Sequence, residues 1–368
     1  MSWETAYQNN SLKMAIVMSN TCNAKCPQCA RTVRGTTEVQ DWIKNDYITL
    51  EQISTYLRPE TLAKFERIHY GGIQGDPYAN PEIKEITEYL LNTKPDLKII
   101  AHSNASLKTK KWWYEYGKFT AGRVVVTFAV DGTTQEMHEK YRYNTSLQKV
   151  LDNMKAFSEG GGTANAFTVL FRHNYEYLDE IVELAKEYGA SEHDWVKSNR
   201  FVYHQEDSLE FIGDNGEKLL LENVMSDDPK YQSKHFQRQL SAPIDNKGNL
   251  LLEPESIECL SDNNDYLYMT IDGILWPCSF IGRIGEMLLE YPSQAIQQNQ
   301  DLHEIFDDML DEKTGSLRYN SLSDLLHNNL YKTELFEMHK NLKTCETICK
   351  KKCGVFEGKR IGLENLDV

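Results

Sequence analysis

From residue 12 to residue 200, short apolar β-rich runs alternate with longer stretches whose apolar residues recur every three or four positions. The first pattern predicts strands and the second amphipathic helices, so their alternation predicts βα units around a parallel sheet. Strands are expected at Lys13–Ser19, Arg67–Gly72, Lys98–Ser103, Arg123–Val130, Asn165–Arg172 and near Trp195–Phe201. Six repeats fall short of a closed eight-stranded barrel, so the expected fold is α/β, a partial (β/α)6 TIM-like barrel.

Pro81 through Leu91 sets Ile83, Ile86 and Leu90 on one helical face, with proline at the start where its missing donor is harmless. Tyr177 through Tyr188 repeats the device and stops at Gly189, a C-terminal cap. The Gly160–Gly162 run follows a helix and precedes a strand, and reads as a connection rather than a phosphate loop. Residues 202–255 turn acidic, polar and irregular, as a linker or inserted lid would. A second compact region opens near Ser256, with the strand-like run YLYMTIDGILW and helices around Leu302–Leu310 and Ser321–Met338. The expected division is 1–201 barrel, 202–255 linker or lid, and 256–368 a smaller domain.

Length permits this arrangement, since 368 residues bury one large core or two modest ones. A formal charge of −15 disfavours nucleic acid as the main partner; Lys108, Lys110 and Lys111, and Lys350–Lys352, read as solvated surface. No apolar run is long enough to span a bilayer and the start MSWETAYQNN lacks a signal-peptide layout, so a cytoplasmic protein is expected. The eight cysteines fall as three near the start, two singles and three near the end, a grouping that in a reducing compartment favours metal over disulfides.

Cys22, Cys26 and Cys29, in TCNAKCPQCAR, follow the first strand with the spacing C-x3-C-x2-C. Three thiolates hold three corners of a 4Fe-4S cluster and leave the fourth iron open to a ligand, whereas electron-transfer clusters usually close all four corners with cysteine. The alternatives are a zinc loop short of a ligand, or chance clustering. The loop lies where parallel α/β barrels place their sites, at the carboxyl end of a strand.

This loop, with the run Met14–Met18 feeding into it, resembles that of the radical S-adenosylmethionine (radical SAM) superfamily. The resemblance implies that the three cysteines ligate the cluster, that the amino and carboxylate groups of SAM chelate the open iron, and that one electron then splits SAM to a 5'-deoxyadenosyl radical. Further segments match in order. Gly71-Gly72-Ile73-Gln74-Gly75-Asp76-Pro77 is similar to the family's glycine-rich segment at the SAM amino group, with Asp76 for the usual glutamate and two residues intervening. Ser103-Asn104 resembles the segment near the ribose, although both are ordinary turn formers. Ala129-Val130-Asp131-Gly132, followed by His138 and Arg142, resembles a turn with a downstream arginine that would pair with the SAM carboxylate. Ala129 stands where relatives often carry a SAM-contacting serine, so Thr127 is the candidate substitute. The implied cofactor contacts are thus Gly72, Gly75, Asp76, Ser103, Asn104, Thr127 and Arg142. Arg172 and His173, closing the fifth strand, read equally as substrate contacts or structure.

Toward the end, Cys259, then Gly273 four residues before Cys278, then Cys345, Cys349 and Cys353 resemble the auxiliary-cluster domains called SPASM and twitch. Five cysteines suit one auxiliary 4Fe-4S cluster, giving two clusters in all and a twitch-like α+β domain. The thiol left over is a bystander or a hydrogen donor, and structural zinc is the alternative for the set. Relatives of this architecture modify peptides or dehydrogenate small molecules such as sugars and alcohols, with electrons from a flavodoxin or ferredoxin. A peptide or protein substrate is expected first, small-molecule oxidation second, and a non-catalytic iron-sulfur or zinc protein is the reading from another class.

Overall fold

The computed structural model describes residues 3–71, 74–198, 200–201, 206–226, 228–232, 252–257, 266–279, 281–282, 312–327, 354–356 and 359–360. Six parallel strands stand side by side in chain order: β1 (Leu12–Val17), β2 (Phe65–Gly71), β3 (Lys98–Ser103), β4 (Val124–Ala129), β5 (Thr163–Leu170) and β6 (Glu192–Lys197). The helices α1 (Trp3–Asn9), α2 (Leu50–Tyr56), α3 (Pro59–Leu62), α4 (Ile83–Thr93), α5 (Lys110–Thr120), α6 (Gln135–Glu139), α7 (Leu147–Glu159) and α8 (Leu178–Glu187) punctuate them. This is the expected α/β fold with a partial barrel.

Alternation within the strands separates the faces. In β4, Val124, Val126 and Phe128 join the helix-covered core, where Phe128 meets Trp113 and Phe157. Each such large side chain, once buried, contributes about 1.5–3 kcal/mol. The other face is more polar, with the rings of His69 and His102 5.4 Å apart. Burial first, then His102 and Arg67, pushes His69 down to about 3, so it stays neutral.

Local signals explain the helix ends. Thr49 and Gln52 form a reciprocal capping box on α2, and Thr109, Thr134 and Ser146 cap α5, α6 and α7. Gly189 closes α8 with φ +95°, as expected. Pro81, in contrast, stands one residue outside the N-cap of α4, which is Glu82. Gly160–Gly162 is a connection between α7 and β5, and a Cβ at Gly162 would strike the Phe157 ring at 2.3 Å.

Two regions depart from expectation. β6 begins at Glu192 and ends at Lys197, before the predicted Phe201, because charged residues occupy a strand edge that apolar content alone does not reveal. Residues 208–222, read as irregular, form an antiparallel hairpin of β7 (Ser208–Ile212) and β8 (Lys218–Glu222). Its buried Leu209, Phe211 and Leu221 pack with Phe171 and Phe201.

The remaining strands are β9 (Ser256–Ile257), β10 (Tyr266–Met269), β11 (Leu275–Trp276), β12 (Gly354–Phe356) and β13 (Lys359–Arg360). β10 pairs parallel with β1 and carries β11 antiparallel, so the barrel sheet continues into the C-terminal part of the chain. β13, β12 and β9 form a separate three-stranded sheet. The predicted helix at Leu302–Leu310 lies outside the described residues, and Leu322–His327 is the described part of the predicted Ser321–Met338 helix. Among the described residues no helix is long and apolar enough to cross a membrane.

Candidate functional site

The loop leaving β1 folds into the mouth of the partial barrel. Cys26 is buried, and Cys22 and Cys29 are half-buried. The turn is closed on itself: Cys29 N donates to Cys26 O (3.0 Å), Thr32 N to Cys29 O (3.1 Å), and Thr32 Oγ1 to Cys26 O (2.8 Å). Lys25 N donates to Tyr143 O (2.9 Å) and Asn23 Nδ2 to Ser106 Oγ (2.8 Å), tying the loop to the far side of the mouth. The β7–β8 hairpin holds it from outside through Lys25 with Asp214 (2.6 Å), Thr37 Oγ1 with Asp214 Oδ1 (2.7 Å) and Ile212 N with Gly35 O (3.0 Å).

Burial pushes the Cys22 thiol well above the usual range, and pushes Cys26 up to about 12 although Arg142 opposes it. Cys26 and Cys29 also raise Cys22, and Cys29 raises Cys26, so the loop resists holding several thiolates at once without a cation beside them. A bound metal centre removes that penalty by supplying positive charge. Among the described residues no three His, Cys, Asp or Glu side chains could hold a single metal ion. The three thiols gathered on this one loop match in number and kind the ligands of an iron-sulfur cluster, whose thiolates bind separate corners.

Two buried aspartates brace the mouth. Asp76, 5% exposed, accepts from Ser103 Oγ at both oxygens (3.0 and 2.9 Å), from Asn104 N (2.8 Å) and from Tyr78 N (2.9 Å). Its own N–H donates to Thr21 O (2.9 Å), beside Cys22. Burial raises its pKa while these donors lower it. Asn104 Nδ2 then reaches Cys22 Sγ at 3.3 Å. Gly75 permits this packing, because a Cβ there would lie 2.1 Å from Ser19 O. The structure thus gathers Gly75, Asp76, Ser103 and Asn104 beside the cluster loop.

Asp131, fully buried, pairs with Arg142 Nε, and its other oxygen accepts from Val169 N (2.5 Å). Burial opposes the Arg142 charge, yet Asp131, Cys26 and Tyr141 together hold it above the usual guanidinium value. His138 Nδ1 accepts from Asp131 N (3.2 Å), and burial pushes this histidine down to about 4. Arg142 therefore stands over Cys26 with its carboxylate partner already provided by the protein. Thr127 lines a cavity of about 540 Å³ with Asn165, Phe167 and Asp194, deeper between β4 and β6.

Arg172 pairs with Glu222 of the hairpin (3.2 Å), and His173 stacks on Phe171 (5.7 Å between centroids). Cys278, just past β11, is half-buried against the main core. Gly72, Cys259, Cys345, Cys349 and Cys353 lie outside the described residues.

Sequence reasoning missed two residues of the cluster loop. Arg31, 4% exposed, donates to Asn20 O, to Gln74 O (2.9 Å) and to Asn45 Oδ1 (2.9 Å), locking the loop to the segment after β2. Gln28, 5% exposed, accepts from Ser198 Oγ (2.6 Å) at the end of β6. Their position, Gln28 between two cysteines and Arg31 two residues past the last, was the available signal.

Residues 16–185 match the family model described as Radical SAM superfamily. No curated protein matches the sequence. Among solved structures, native anSMEcpe with bound AdoMet is similar over 96% of this chain and 93% of that chain, at 16% identity and TM-score 0.54. SuiB of Streptococcus suis, bound to the precursor peptide SuiA, is similar over 96% of this chain and 74% of that chain, at 12% identity and TM-score 0.52. Native anSMEcpe with bound AdoMet and Kp18Cys peptide is similar over 96% and 93%, at 14% identity and TM-score 0.52. At these identities the solved structures establish the fold, whereas the family match falls on the region that holds the cysteine loop, Asp76 and the Asp131–Arg142 pair. Residues 16–185, somewhat under half of this chain, are thus similar to the radical SAM superfamily.

Proposed function

We propose that this enzyme cleaves SAM reductively and abstracts a hydrogen atom from a peptide or protein substrate. The observation that carries the reading is the Cys22-Cys26-Cys29 loop at the barrel mouth, in contact with Asn104 at Cys22 and with Arg142 at Cys26. When bound, a 4Fe-4S cluster would supply the one-electron chemistry that opens SAM for hydrogen-atom abstraction.

The chain's own residues do the rest. Cys22, Cys26 and Cys29 would hold the cluster as thiolates. Arg142, fixed by Asp131, sets a positive charge against Cys26 and offsets the anionic group; any contact with the SAM carboxylate would use the guanidinium nitrogens that Asp131 leaves. Asp76 fixes Ser103 and Asn104 so that the Asn104 amide faces Cys22. Gly72 and Thr127 remain assigned to SAM by resemblance. For the auxiliary cluster the ligands would be four of Cys259, Cys278, Cys345, Cys349 and Cys353, and the electron donor a flavodoxin or ferredoxin.

The peptide assignment is supported by similarly folded enzymes solved with peptides, SuiB with SuiA and anSMEcpe with Kp18Cys. The test is anaerobic reconstitution, reduction and incubation with SAM, first alone and then with peptide pools. The reading expects 5'-deoxyadenosine in the first case and a peptide mass change in the second. Deoxyadenosine without peptide turnover, but with oxidation of a sugar or alcohol, would replace the substrate class and leave the SAM chemistry standing.

A further inference from the structure

Arg31 follows the last of the clustered cysteines by two residues, and its side chain is sealed from water. Its backbone N–H donates to Cys29 Sγ (3.5 Å). The guanidinium reaches back across the loop: Nη1 donates to Asn20 O, two residues before Cys22, and to Gln74 O (2.9 Å), two residues before Asp76, while Nη2 donates to Asn45 Oδ1 (2.9 Å). All three acceptors are neutral oxygens, and Nε is buried without one. Among the described residues no carboxylate pairs with Arg31, whereas Arg142 has Asp131. A buried cation with no counter-ion is costly, so native proteins supply an anion. Burial lowers the pKa of Arg31, and Cys22 and then Cys29 oppose that, which points to their thiolates as the place of the missing charge.

Resting on the cluster reading above, we infer that Arg31 is the counter-charge of the cluster held by Cys22, Cys26 and Cys29, and that it sets how readily this cluster accepts an electron. Three thiolates make a 4Fe-4S cluster a net anion, and reduction adds one more negative charge. A fixed guanidinium beside two of the ligands favours the reduced form over the oxidised one, and so raises the midpoint potential. Arg142 is less suited to this, because Asp131 already balances its charge. Arg31 acts through the cluster alone and is a positioning residue, not a catalytic one.

The test is a redox titration of the reconstituted full chain under anaerobic conditions, followed by electron paramagnetic resonance on the cluster whose signal changes when SAM is added. Arg31→Gln is expected to make reduction about tenfold less favourable, a midpoint about 59 mV more negative for one electron. Arg31→Lys keeps the charge but loses the planar fork, and its midpoint is expected within about threefold of the parent's in the same equilibrium. If Arg31→Gln fails to retain iron, Asn45→Asp decides: it hands the guanidinium a carboxylate without touching the loop, so a more negative midpoint supports the inference and an unmoved one overturns it. An unmoved midpoint in Arg31→Gln, or equal shifts in the Gln and Lys variants, also overturns it, since a purely structural role depends on the fork and not on the charge. If the unsubstituted chain takes up no 4Fe-4S cluster, or no cluster signal responds to SAM, the underlying reading fails and the inference falls with it.

Discussion

Asp76 and Asp131 are both buried carboxylates at the barrel mouth, but they are satisfied in different ways. Asp76 is surrounded by neutral donors, two backbone N–H groups and the Ser103 hydroxyl, whose single proton is shared between the two oxygens. Asp131 faces the half-buried guanidinium of Arg142. The first arrangement uses a charge to shape backbone, drawing the turns after β2 and β3 together against the cluster loop. The second uses one charge to hold another, presenting Arg142 to Cys26. One brace sets geometry and the other sets electrostatics, so they should fail differently.

The largest effect is expected at the charged brace. Asp131→Ala removes the fully buried half of the pair, leaves the half-buried Arg142 without its partner, and should cost about 3 kcal/mol or more in chemical unfolding. Asp131→Ala combined with Arg142→Ala should cost clearly less than the sum of the single changes. Additive losses would show that the two residues act separately.

Asp76→Asn is expected to be milder, about 1–3 kcal/mol, because one oxygen still accepts while the new amide faces donors. It should also displace Asn104 from Cys22 and slow cluster loading. A variant as stable and as readily loaded as the parent would break the comparison. Gly75→Ala tests the same side by steric means: its methyl meets Ser19 backbone at 2.1 Å, and a loss of about 1–3 kcal/mol is expected from the forced shift.

The smallest effect concerns pH. His138, which accepts the Asp131 N–H, is pushed from 6.5 down to about 4 by burial. The unfolded chain therefore binds more protons than the folded one between those values. Stability from this histidine is complete above pH 6.5 and is lost as pH falls toward 4. His138→Gln should flatten the fall in melting temperature across that window, and an unaltered slope would remove His138 as a contributor.

How much of this was legible in the sequence follows from the kind of signal involved. The first five strands announced themselves through alternation, with β3 matching at both ends, because one face of each packs on helices. β6 did not, since its Glu192, Asp194 and Lys197 break the apolar signal. The hairpin at 208–222 carried a readable pattern, alternating apolar residues around Asn215-Gly216, but its acidic composition concealed it. At the site, the cysteine spacing was explicit. The partners of Asp76 lie 27 and 28 positions away, and Ser198 lies 170 from Gln28, so only folding reveals who satisfies whom. Arg31 and Gln28 read as ordinary polar loop residues until their burial is seen.

The central claim is that Cys22, Cys26 and Cys29 hold the cluster at which SAM is opened. The most direct measurement is iron content together with 5'-deoxyadenosine release, on anaerobically reconstituted enzyme and on a Cys22→Ala, Cys26→Ala, Cys29→Ala variant. The account predicts that the triple variant loses about four irons per chain and all deoxyadenosine release. Undiminished iron, or deoxyadenosine still formed at the parent rate, would contradict it.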